Sequence, residues 1–352
     1  MERISYKGEK VSIGIDVHKN QYTISCISKG AIICKATLPA DPVKLVNYIK
    51  RRFEGAEVKS VYEAGFSGFA LHRILESSEI DNIVVNAGSI EVASRDRVKT
   101  DRRDSQKMAG LLDCGRLRGI RIPSVEQELS RLLHRTREQL VRDRSRIGNR
   151  IKMRLYQFGI TPPKKVTKTS LTALLEKQIF APELKYSLEN YISQWKSLDK
   201  NICEINKKLE ELGELDKLYQ IYKSIPGYGL LVASMLSTEL GDMTQFPSER
   251  SLFSFLGLTP TERSSGESER KGHISRQGSA RLRCVLIEAA WTAIQNDEYW
   301  KNEYKRRVLR IGGKRAIVAI ARRLIGVARA LARKGEYYQQ QPLFESTKKE
   351  AA

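Results

Sequence analysis

Cysteine and histidine are scarce in this 352-residue sequence, with five of the first and four of the second. The cysteines (Cys26, Cys34, Cys114, Cys203 and Cys284) are odd in number, far apart and free of any Cys-x-x-Cys pair. That argues against a disulfide scaffold and against a structural zinc site. No run of eighteen apolar residues occurs, and Met1 to Tyr6 leads into polar sequence without the core of a signal peptide. Secretion and membrane spanning are therefore not expected, and a cytoplasmic protein is. Acidic residues are outnumbered, 41 against 62 Lys and Arg, for a net charge of +21. A surplus of that size favours a polyanionic partner, and nucleic acid before an anionic membrane. Aromatics make up only 7%, and no base-reading motif is recognisable, which suits recognition of backbone and shape.

What is present begins with alternation. Val11, Ile13, Ile15 and Val17 fall on one phase and Ser12, Gly14 and Asp16 on the other, as in a strand, so Asp16 projects from a sheet face. Tyr22 to Ser28 and Ala31 to Thr37 follow as β-rich runs around Lys29-Gly30, predicting an antiparallel meander. The rhythm then changes to a helix from Asp41 to about Phe53, a strand over Val58 to Tyr62, a helix over Phe69 to Ser77 and a strand over Asn82 to Asn86. Strands alternating with helices imply parallel crossovers. Glu63 stands at the carboxyl end of the fourth strand, where α/β sheets place ligands and catalytic groups.

Asp101 and Asp104 open the next helix three residues apart and so share one face of it. Two carboxylates that close raise each other's pKa unless a cation lies between them, so the pair reads as half a metal site. First-turn Asp residues also meet the helix macrodipole favourably, and that plainer reading stays open for the pair alone. One acid on the first strand, one ending the fourth and two on the helix after the fifth is the layout that converges four acids on one sheet.

With those residues in view, Gly14-Ile15-Asp16-Val17-His18-Lys19, Tyr62-Glu63-Ala64-Gly65 and Lys99-Thr100-Asp101-Arg102-Arg103-Asp104 resemble the RuvC-like domain of DEDD-type insertion-sequence transposases. The resemblance implies a ribonuclease-H-like α/β fold over residues 1–120 and a Mg²⁺ site at Asp16, Glu63, Asp101 and Asp104. Two such ions held by bridging carboxylates can polarise a phosphodiester and its attacking oxygen.

Past Pro123, apolar residues at Leu129, Leu133, Leu140, Ile147, Ile151, Leu155 and Phe158 predict a long helix with a seam for a partner. Its other faces carry Arg131, Arg135, Arg137, Arg142, Arg144, Arg146, Arg150, Lys152 and Arg154 against Glu138 and Asp143. Contact with phosphates and plain coiled-coil packing both fit that pattern. A second helix, with apolar positions stepping by four and three from Leu184 to Leu212 and Gly213 as its stop, gives a specific coiled-coil signal. Its partner, the preceding helix or another subunit, is not readable, with a lean towards another subunit.

Pro226-Gly227-Tyr228-Gly229 then precedes a further helix. It resembles the hairpin of a helix-hairpin-helix module whose N–H groups meet a phosphate, or else a tight turn packing two helices. Gly257-Leu258-Thr259-Pro260, Ser264-Ser265-Gly266 and the stretch from Gly272 to Arg283 resemble the second domain of the same transposases. The region around Ser264 reads as a polar loop. In that family the serine before the loop glycine is the nucleophile, which maps to Ser265, with Ser264 beside it as the alternative. Arg270, Lys271, Arg276 and Arg281 are the basic residues expected around it. A helix from Lys314 to Lys334 and a polar, disordered tail from Glu336 are expected to close the chain.

The expected domains are thus 1–120 (RuvC-like), 121–213 (helical coiled-coil linker), 214–335 (serine-bearing and mainly α, with a helix-hairpin-helix-like element) and 336–352 (tail). The resemblance implies a DNA recombinase whose serine attacks donor and target DNA covalently while a metal site from a neighbouring subunit assists at the same phosphate. It also implies a homo-oligomer, dimer or tetramer, and guidance by a structured bridge RNA. A metal-only nuclease of the Holliday-junction type and a non-catalytic nucleic-acid scaffold are the competing classes.

Overall fold

The computed structural model describes residues 5–90, 101–265 and 268–339. The chain divides into two compact units at Pro123/Ser124. In the first, β1 (Lys10–Val17), β2 (Gln21–Ser28) and β3 (Ala31–Pro39) form the expected meander. Then come α1 (Pro42–Arg52), β4 (Glu57–Glu63), α2 (Ala70–Ser77), β5 (Asp81–Val85) and α3 (Asp101–Asp113). The five-stranded sheet runs β3-β2-β1-β4-β5, with β1 antiparallel to β2 and parallel to β4. This is a mixed sheet, antiparallel where hairpins connect it and parallel where helices cross over.

Alternation along β1 sorts the two faces. Val11, Ile13 and Ile15 are buried against Leu45 and Ile49 of α1 and Leu71 and Leu75 of α2. The opposite face, carrying Ser12, Gly14 and Asp16, receives α3. Gly14 is required there, since a Cβ would lie 2.0 Å from the Ser105 carbonyl oxygen and 2.6 Å from the Ala109 nitrogen. Asp41 caps α1 by accepting from Val43 N at 2.9 Å, and Pro42 occupies its first position.

The second unit opens with α4 (Val125–Gln157), started by a reciprocal cap between Ser124 and Gln127. After α5 (Lys168–Lys177) comes α6 (Pro182–Glu214). The seam is filled within the chain: Ile147, Ile151 and Leu155 of α4 pack with Leu184, Leu188, Ile192 and Trp195 of α6. Arg144 reaches Asp199, and Arg137 Nε donates to Asn206 Oδ1 at 2.6 Å. Partners further along α6 meet residues earlier on α4, so the pair is antiparallel, and the lean towards another subunit for this seam is corrected. Gly213 is not the stop either. The helix runs on to Glu214, and the break follows because Asp216 caps α7 (Lys217–Lys223), accepting from Leu218 N at 2.8 Å.

The rest of the unit is α8 (Leu230–Leu240), α9 (Glu249–Phe255), β6 (Pro260–Ser265), β7 (Ser268–Ile274), α10 (Ala280–Asn296), α11 (Glu298–Ile311) and α12 (Gly313–Lys334). Leu236, Leu256, Leu286, Trp300, Ile320 and Leu324 sit at the centre of its core. The polar loop expected around Ser264 is instead an antiparallel hairpin in which Ser265 pairs with Ser268. The intervening Gly266 and Glu267 lie outside the described residues. The tail begins docked: Tyr338 N donates to Ser224 Oγ at 2.9 Å, and its ring packs on the core. Residues 340–352 of the expected disordered tail lie outside the described residues. Among the described residues, no helix is long and apolar enough to cross a membrane.

Candidate functional site

Register brings the first two acids together. The parallel β1–β4 ladder ends at Ile15 opposite Tyr62, so Asp16 and Glu63 follow side by side at the carboxyl ends of neighbouring strands. Alternation puts both on the face of Gly14 and Val61, which is the face α3 covers. The helix runs opposite to β1. Its last residue, Asp113, accepts from Ser12 Oγ at 3.0 Å and from Gly30 N at 3.1 Å, near the start of β1. Its first turn, with Asp101 and Asp104, therefore lies towards the end where Asp16 and Glu63 stand. A buried hydrogen bond of 2.9 Å between Ser25 and Ser105 holds the helix at that level. Asp104 is half-buried, whereas the side chain of Asp101 lies outside those described.

Asp16 is engaged: His18 Nε2 lies 3.1 Å from its Oδ2. His18, to which the motif alone assigns no role, sits two residues on, where the strand turns back. Among the described residues, no three His, Cys, Asp or Glu side chains gather tightly enough to form a metal centre on their own. Asp16, Glu63, Asp101 and Asp104 offer carboxylate oxygens alone, a chemistry that suits a hard divalent cation.

In the second unit, the cations of α4 divide by direction. Arg131 faces inward, with Nε 3.0 Å from Glu239 Oε2 on α8. Arg137 is held by Asn206, and burial lowers its pKa. Arg144 pairs with Asp199 and lies over the Trp195 ring, 5.5 Å from its centroid. Three of the nine thus serve the packing of α4 on α6 and α8. Arg135, Arg142, Arg146, Arg150 and Arg154 remain exposed. Of these, Arg142 pairs with Glu138 and Arg146 with Asp143. An open depression of about 840 Å³ is lined by Arg146, Arg150 and Arg154 together with Tyr156 and Tyr191. Tyr191 is one of the four-and-three positions of α6, whereas Tyr156 belongs to no motif, and their place beside these arginines emerges only once α4 and α6 are laid together.

Gly227 and Gly229 have different duties. Gly227, at φ +80°, lies so close to α10 that a Cβ would be 2.2 Å from the Ala289 carbonyl oxygen, which is the tight-turn reading. Gly229 meets nothing within 4 Å of such a Cβ and stands at the N-terminus of α8. Arg276 is exposed beside the hairpin, while Arg281 pairs with Glu138 of α4 and so ties α10 to the long helix. The side chains of Ser264, Ser265, Arg270 and Lys271 lie outside those described.

A mixed sheet with acids at the carboxyl ends of two adjacent parallel strands and at the head of a covering helix, joined to a basic helical unit, is the build of a DEDD-type transposase. Residues 13–160 match the DEDD transposase domain of IS110 elements, and residues 219–305 match the domain described as transposase, IS116/IS110/IS902 family. The chain belongs to that IS110/IS116 family of insertion-sequence transposases. It is similar to the transposase for insertion sequence element IS1533 of Leptospira borgpetersenii, 28% identical over 80% of this chain and 85% of that one. It is likewise similar to the transposase for insertion sequence element IS1111A of Coxiella burnetii, 29% identical over 68% of each. The transposase-like y4qE protein of Sinorhizobium fredii is 30% identical over 71% of this chain, and the match spans 61% of that relative's length.

Proposed function

We propose that this chain cuts and rejoins DNA as the recombinase of an insertion sequence. The observation that carries the reading is the register placing Asp16 beside Glu63, under a helix whose first turn holds Asp104. The strand order β3-β2-β1-β4-β5 supports a ribonuclease-H-like, RuvC-like domain over residues 1–120. Residues 121–213 then serve as the helical linker, 214–335 as the serine-bearing domain and 336–352 as the tail.

Asp16, Glu63, Asp101 and Asp104 would hold Mg²⁺, which when bound supplies positive charge to a phosphodiester and to the oxygen atoms entering and leaving it. His18 orients Asp16 through its Nε2 contact. Ser265, at the tip of the β6–β7 hairpin, supplies the attacking oxygen. Its Oγ bonds to phosphorus, and the bond from phosphorus to a deoxyribose oxygen breaks. The proton lost by the serine ends on that sugar oxygen. Attack by a second strand's hydroxyl on the phosphoserine ester reverses the sequence and frees Ser265. The exposed arginines of α4 and Arg270, Lys271 and Arg276 hold the backbone by charge. Resemblance supports a guide RNA and a homo-oligomer as the working form, and the sequence's lack of a signal-peptide core and of a long apolar run supports a cytoplasmic one.

The test is strand cleavage of DNA carrying the element's ends, with Mg²⁺ or EDTA. Wild-type protein cleaves only with Mg²⁺, and Asp16→Asn does not cleave. Cleavage by Asp16→Asn at the wild-type rate overturns the reading.

A further inference from the structure

The link between α11 and α12 lies beyond the matched segment that ends at residue 305. From Lys305 to Arg315 it reads Lys-Arg-Arg-Val-Leu-Arg-Ile-Gly-Gly-Lys-Arg, with six cations in eleven residues and no acid. Arg306 and Arg307 are engaged by Glu303, at 2.8 and 3.3 Å. Lys305, Arg310, Lys314 and Arg315 are exposed and form no ion pair among the described residues. Leu309 stands among them 90% exposed.

Stability does not explain this composition. A cation in the last turn of α11 suits the helix macrodipole, so Arg310 has a structural use there. Lys314 and Arg315 fall in the first turn of α12, which has no acidic residue, and there they oppose the dipole. Gly312, at φ +76°, joins the two helices and brings their like charges to one tip. Like charges drawn together, with a leucine left in solvent, are a cost that an external anion offsets.

We propose that the α11–α12 tip is a docking site for the phosphate backbone of duplex DNA. Between Lys305 and Arg315 there is no aromatic side chain on which a base could stack and no Asn or Gln to read a base edge. Binding of single strands adds base stacking on aromatic side chains to a cationic groove, whereas duplex backbone can be held by cations without any stacking. Leu309 then packs against the sugar face between the flanking charges. The inference rests on the reading that this chain acts on DNA, and it adds an anchor that works regardless of the acids on the sheet.

The experiment is a salt titration in EDTA of the full chain binding a random-sequence duplex, a poly-dT strand and vesicles containing phosphatidylserine. The Arg310→Ala/Lys314→Ala/Arg315→Ala protein should bind duplex more weakly whatever the sequence. Its salt slope should fall by roughly 2 to 3, at about 0.9 per phosphate left without its cation. Poly-dT binding should change little, and an Arg310→Lys/Arg315→Lys protein should keep the wild-type slope. An unchanged duplex slope, an equal loss on poly-dT, or a loss confined to vesicles overturns the inference. If wild-type protein binds no duplex at all, the proposed function itself fails.

Discussion

Ser25 on β2 and Ser105 on α3 lie 80 residues apart in sequence and share a buried hydrogen bond of 2.9 Å. Ser105 directly follows Asp104, so the bond that seats the helix on the sheet also fixes the level of Asp104 over the sheet face that carries Asp16 and Glu63. Ser105→Ala takes away Ser25's partner and should cost about 1–3 kcal/mol in chemical denaturation. The Ser25→Ala/Ser105→Ala double variant should cost less than the sum of the singles, and strict additivity would deny the coupling. Gly14→Ala should be harsher, because its Cβ meets helix backbone rather than a movable side chain. It should lose Mg²⁺-dependent cleavage even where circular dichroism shows retained helix.

The exposed cations of α4 give a second expectation. An Arg142→Ala/Arg146→Ala/Arg150→Ala protein should bind all DNA sequences more weakly, with a salt slope lower by roughly 0.9 for each phosphate no longer neutralised. Arg137→Ala should behave differently. Its guanidinium is spent on Asn206, so the protein should lose thermal stability while the slope holds.

Ser265→Ala should remove a denaturant-resistant protein–DNA adduct that Ser264→Ala leaves in place, read on gels after protease-free denaturation. The reverse result moves the nucleophile one residue upstream. Ser265, and not Ser264, is the last residue of β6.

A pH dependence follows from His134 on α4. It is buried, with Nε2 3.0 Å from Ser234 Oγ on α8. Burial first, and then the positive charge of Arg137, push its pKa down to about 4 from 6.5. The folded form keeps this ring neutral while the unfolded chain takes up a proton below pH 6.5. Stability is therefore fully present above pH 6.5 and falls as pH drops towards 4, by roughly 3 kcal/mol at the lower limit. His134→Gln should flatten urea-unfolding stability across that window. A wild-type profile unchanged between pH 6.5 and 4 would refute the assignment.

Much of the first unit was legible because its code is local. Alternation in Val11 to Val17 and the switch to crossover helices name strands, faces and the carboxyl end where Glu63 sits. Gly14 shows the limit: its glycine is dictated by a helix ninety residues later, which no local pattern reveals. The second unit was less legible because side-chain charge does not tell direction. Arg131, Arg137 and Arg144 read as surface cations, yet Glu239, Asn206 and Asp199 lie opposite them once the helices are packed. The β6–β7 hairpin was missed since Ser, Glu and Arg carry weak strand preference, and only cross-strand pairing fixes their form.

The central claim is that acids from β1, β4 and α3 act together on DNA strands. The most direct measurement is cleavage of DNA bearing the element's ends by Asp16→Asn, Glu63→Gln and Asp104→Asn proteins, each first shown in EDTA to bind that DNA as wild type does. All three should lose Mg²⁺-dependent cleavage by roughly a hundredfold or more, in keeping with several kcal/mol of lost charge stabilisation. Wild-type cleavage by the Asp104→Asn protein, with its fold and binding intact, would contradict the claim.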